Sequence, residues 1–129
     1  MRGRRYVVLP VLLIVAGLVW LLRGAPAPEP AELHGRGTRH AVVVRLEPRP
    51  GSLEARVELH PASPAEVSVF AVMPHMGHTT PEIPARPDGP GRYVAHGELF
   101  TMTGTWELGV RVHGASGTEV IKIPTLVTE

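Results

Sequence analysis

An all-β fold, an immunoglobulin-like antiparallel β-sandwich of six or seven strands preceded by one N-terminal transmembrane helix, is what this amino-acid sequence predicts. Three observations carry that expectation. From Arg39 onward apolar and polar residues alternate with a period of two, and no helical stripe interrupts them. Gly- and Pro-bearing clusters punctuate the alternating runs at 48–51, 61–64, 88–91, 103–104 and 114–117. Residues 6–22 contain no charge, and a helix of that length rises ~26 Å, enough to just cross a hydrocarbon core.

The N-terminal run comes first in the chain. Arg2, Arg4 and Arg5 precede it and Arg23 follows, a positive-inside asymmetry that places the N-terminus in the cytoplasm and everything after Arg23 outside. Ala25-Pro26-Ala27 has the small-x-small form of a signal-peptide cleavage site. Pro28 would follow the cut and Arg23 interrupts the approach, so residues 1–23 read as an uncleaved membrane anchor rather than a leader. Residues 24–37, rich in Pro, Ala and Gly, read as a semi-rigid extended linker. Residues 38–129 are left as the folded domain.

Within that domain each strand has its own justification. Val42, Val44 and Leu46 alternate with Val43 and Arg45; Leu53, Ala55, Val57 and Leu59 alternate with Glu54, Arg56, Glu58 and His60. The run 65–73 is apolar on both faces for part of its length, which suits a central strand. Ile83 marks a short strand in a Pro-rich stretch. Strands at 93–100, at 106–112 and at 119–127 complete the set. Leu53, Val57, Leu59, Val67, Val69, Trp106, Leu108, Val110 and Val112 are the expected core, with Trp106 its anchor. Tyr93, leaving a Gly-Pro-Gly turn, is placed like a tyrosine corner whose hydroxyl bonds back to the chain.

Composition excludes several functions. The 129 residues include no cysteine, so disulfides, thiolate metal sites and cysteine nucleophiles are absent. Thirteen basic residues stand against twelve acids. Setting aside the four arginines that flank the apolar run leaves the rest of the chain near −3, without a basic face for nucleic acid. Serines and threonines are scattered, with no strained nucleophile turn and no acid paired to a histidine by spacing, so no enzyme and no small organic substrate is expected. A constellation assembled only in space leaves no spacing to read.

The chemistry concentrates in Met73-Pro74-His75-Met76-Gly77-His78. Four of these six residues carry a soft or borderline lone pair, in a chain with four Met and seven His. Pro74 and Gly77 turn the backbone away from the strand ladder, so the four donors can converge. Thioether with imidazole favours Cu(I), whereas oxygen ligands would favour Mg or Ca. Met102, just before the Thr103-Gly104 turn, is the donor to add from outside the segment. His96 is a weaker candidate, and His34, His40, His60 and His113 read as solvated surface. The competing reading makes Met73 the last core residue of its strand and Met76 a gap filler under a loop.

The order Met73-Pro-x-Met76-Gly77-His78, Gly91-x-Tyr93, Phe100-x-Met102-x-Gly104-x-Trp106-x-Leu108-x-Val110 resembles the YtkA-like or FixH-like domains of bacteria over about residues 38–113. The resemblance implies a copper-handling sandwich of the CopC type on a single-pass anchor in the bacterial inner membrane, with its domain on the periplasmic side. It implies copper, as Cu(I), held by Met73, His75, Met76, His78 and Met102. Its expected partners are the cytoplasmic membrane and a membrane copper protein or cbb-type oxidase assembly factor. This chain is shorter than the larger FixH form, with a compressed segment before the motif. A second function class is a structural accessory domain that binds a membrane-protein partner and holds no metal.

Overall fold

A computed structural model describes residues 5–24 and 29–129, with side chains from Pro10 onward. Helix α1 spans Arg5–Leu22. Among the described residues nine strands follow: β1 Ala31–Arg36, β2 Ala41–Leu46, β3 Gly51–His60, β4 Ala65–Met73, β5 His78–Thr79, β6 Ile83–Pro87, β7 Arg92–Phe100, β8 Gly104–Gly114 and β9 Gly117–Val127. Their neighbours run in the order β1-β2-β3-β7-β6-β4-β8-β9, with β5 paired to β4.

The alternation in the sequence is what builds this sheet. Burial switches on and off residue by residue along β3 and β4, as expected for strands with one face on a core. Every residue of the expected core is buried, and Val44, Ala55, Phe100 and Ile121 join them. Trp106 and Phe100 meet edge-to-face at 5.7 Å.

Two expectations are corrected here. The strands do not form the two separate sheets of an immunoglobulin-like sandwich; they make one nearly closed, barrel-like antiparallel sheet. β6 is the reason. It pairs with β4 at Val67↔Ala85, Ser68↔Pro84 and Val69↔Ile83, and with β7 at Arg86↔Val94 and Pro87↔Tyr93. A strand bonded on both sides joins what would otherwise be two sheets. On the other side β1 lies against β9: a Cβ built on Gly35 would come within 2.7 Å of Ile121 and Ile123 side-chain atoms. Glycine there lets the first and last strands of the path approach, which covers both edges. β1 also occupies the second half of the stretch expected to be linker, because Leu33 packs on the core.

The second correction concerns the membrane. Among the described residues no helix is long and apolar enough to cross a membrane. The single-pass anchor, the inner-membrane location and the periplasmic placement that depended on it are therefore not carried forward. Arg2, Arg4 and the Ala25-Pro26-Ala27 tract lie outside the described residues, as do the side chains at 5–9.

Candidate functional site

β4 keeps its parity to its last residue. Val67, Val69, Ala71 and Met73 all face the core, and Met73 is 5% exposed. Pro74 then opens a single 3₁₀ turn, Pro74–Met76, and Gly77, in the left-handed region at φ 60°, closes it with its N–H toward Pro74 O at 3.4 Å. This is the turn that the Pro and Gly of the motif demand. β5 runs straight back along β4, so that His78 stands opposite Met73 and Thr79 opposite Val72. Thr80 fastens the return. Its buried hydroxyl accepts the Ala71 N–H at 2.9 Å and donates to Ala71 O at 3.2 Å, leaving no polar group at the joint unpaired.

Trp106 gathers the rest. It is fully buried on β8, and its Nε1–H donates to Met102 O at 3.0 Å. The His78 ring stands edge-on to the indole at 6.0 Å and 73°. One indole thereby meets both the backbone of Met102 and the ring of His78. Met73 lies beside them, since a Cβ on Gly104 would approach its Cε to 3.1 Å.

The five candidates thus divide. Met76 is 64% exposed on the turn, Met102 is 40% exposed, and His78 is exposed on β5, so these three donors lie at the surface. Met73 is buried, its side chain committed to packing. His75 is exposed on the same 3₁₀ turn as Met76, where three residues per turn send adjacent side chains about 120° apart. No group of three or more His, Cys, Asp or Glu that could hold a metal occurs among the described residues. The donor set at this end is instead thioether with imidazole, the chemistry that fits Cu(I).

Other candidates resolve differently. His34, His60 and His96 stand exposed beside Glu32, Glu58 and Glu54, and the His113 ring bonds Thr118 Oγ1 at 2.6 Å. The Tyr93 hydroxyl donates to main chain, to Ala65 O at 3.3 Å, across the barrel onto β4 rather than a few residues upstream. A groove of about 540 Å³ beside it is lined by Ser68, Glu82 and Arg111 among others. Hydrogen bonds from Ser68 and then Arg111, with the Arg111 charge, outweigh burial and hold the Glu82 carboxyl below its ordinary value. The Arg111 guanidinium also caps the Phe70 ring at 5.6 Å, and it pairs with Glu82 across the groove.

His40 corrects the solvated-surface expectation. Its side chain is 11% exposed, and both ring nitrogens are engaged, by Glu119 and by Ser63. The three residues are 23 and 79 positions apart, a separation that leaves no local signal.

Comparison with family models, with characterised proteins and with solved structures returns no match. The resemblance to YtkA-like and FixH-like domains therefore stands on the motif residues alone.

Proposed function

We propose that this chain binds one Cu(I) at the Met/His end of the barrel, through Met76, His78 and Met102 over a floor of Met73, and serves to handle or deliver copper. The observation that supports this reading is that the His78 ring and the Met102 backbone carbonyl both meet Trp106, with Met76 exposed on the turn between β4 and β5. Soft donors held at the surface by a rigid core suit an ion that must be taken up and handed on. The resemblance to copper-handling domains points the same way. The rival reading, a packed turn on an accessory domain, draws its support from Met73, which already behaves as core.

Trp106 provides the readout. In a Trp20→Phe chain, Cu(I) added under reducing conditions should quench the remaining indole emission and saturate at one equivalent, and Zn(II) should compete poorly. Emission unchanged by Cu(I) would leave the packed turn as the function of the motif.

A further inference from the structure

A different part of the molecule, independent of the copper reading, brings together a hydroxyl, an imidazole and a carboxylate. Glu119 on β9, His40 just before β2 and Ser63 in the β3–β4 connection form one line. His40 Nδ1 is 3.2 Å from Glu119 Oε2 and His40 Nε2 is 3.2 Å from Ser63 Oγ. The Glu119 side chain is 8% exposed. Burial pushes its carboxyl up, but hydrogen bonds from the Arg39 backbone, His40 and Thr38, with the His40 charge, outweigh that and leave it below the ordinary value.

The tautomer follows from this. An ionised carboxylate only accepts, so the proton of a neutral His40 sits on Nδ1 and the Nε2 lone pair faces the Ser63 hydroxyl. A carboxylate that orients a base, and a base in reach of a hydroxyl, is the arrangement that activates a serine. Gly37 is part of it: a Cβ there would fall 1.6 Å from Glu119 Oε1, so only glycine lets the carboxylate seat. Ser63 is half-buried among exposed Pro61, Ala62 and Pro64, open to a small reagent while base and carboxylate are covered.

We propose that Ser63, His40 and Glu119 form an acyl-accepting serine site that takes small acyl groups from esters with good leaving groups. Ser63 Oγ bonds to the carbonyl carbon as its proton passes to His40 Nε2. The ester C–O bond breaks, and the leaving oxygen takes that proton, giving acyl-Ser63 and free alcohol. Water, deprotonated by the same imidazole, then releases the acid and restores the hydroxyl. The Gly37 to His40 turn, whose N–H at Gly37 donates to His40 O at 2.8 Å, holds the base rigidly for both steps.

The test uses the full chain and p-nitrophenyl acetate, with acetylated residues mapped by mass spectrometry. Ser63 should be acetylated well ahead of Ser52, Ser68 and Ser116, and Ser63→Ala should abolish the fast phase of nitrophenolate release. Glu119→Gln, which lets the imidazole adopt the wrong tautomer, should slow the reaction roughly a hundredfold, within the range general-base catalysis supplies. His40→Ala should be equally slow, and free imidazole should restore acetylation of Ser63 as read by mass spectrometry, with nitrophenolate release above that of Ser63→Ala in the same imidazole, which a merely structural role would not produce. Acetylation spread evenly over the four serines, or a His40→Ala chain that reacts as fast as wild type, would overturn the proposal and leave the three residues as a clip between β2 and β9.

Discussion

The two histidine-bearing ends of the β8–β9 hairpin make opposite use of the same ring. Trp106 faces Thr125 at one end and Val112 faces Glu119 at the other, six residues apart, or ~20 Å. At the Glu119 end His40 is covered and both its nitrogens are spoken for. At the Trp106 end His78 is exposed and meets an indole edge-on, opposite Met73 in the strand register. The lesson is that burial and hydrogen bonding, not residue type, decide what a histidine can do. On the two proposals above, the ring bonded at both nitrogens orients and moves protons, and the ring met at its edge keeps a lone pair for a metal.

The comparison breaks most easily at Trp106. Trp106→Ala should cost about 3–5 kcal/mol, because the indole is fully buried and nothing nearby can fill the cavity. In a domain of marginal stability that is enough to unfold much of the population. Thermal denaturation followed by circular dichroism measures it.

Next in size is the other end. Glu119→Gln should cost about 1–3 kcal/mol, since hydrogen bonds to a charged, covered acceptor are lost or weakened. Its pH dependence has a defined sign. A carboxyl whose folded value lies below its unfolded one adds stability above the unfolded value, and that contribution disappears as pH falls through the folded one. Acid should therefore destabilise the wild-type chain more than the Gln variant over that interval. Equal acid sensitivity of the two chains would show that Glu119 is not the group responsible.

Much of the barrel was legible, and the reasons are local. Val67, Val69, Ala71 and Met73 announce their shared face by parity, and Pro74 and Gly77 announce the turn. Closure was not legible, because nothing in Pro84 or Pro87 says that β6 will bond on both sides, and Gly35 reads as linker until Ile121 and Ile123 are seen against it. The Met/His end was visible as a list of donors but not as a hierarchy. That Met73 is buried while Met76, His78 and Met102 are exposed is a matter of packing, which no local spacing records. The Ser63-His40-Glu119 line was invisible, since each member comes from a different part of the sheet.

A smaller effect sharpens the division of roles among the methionines. Met73→Leu keeps the volume of a buried side chain and should cost less than about 1.5 kcal/mol. If Met73 is floor rather than ligand, it should leave Cu(I) affinity nearly unchanged. His78→Ala should leave stability almost untouched and flatten the pH dependence of Cu(I) binding. Protons compete with the metal for an imidazole but not for a thioether.

The most direct measurement is a competition titration of the full chain against a Cu(I)-specific chelator under reducing conditions, comparing wild type with Met76→Ala, His78→Ala and Met102→Ala. Each variant should fold as wild type and bind Cu(I) at least about tenfold more weakly, since loss of a ligand costs no less than loss of the outer-shell support worth ~10–100-fold. Met73→Leu should bind as wild type does. Equal, weak binding by all five chains would contradict the copper site, and a large loss in Met73→Leu alone would contradict the division between floor and ligands.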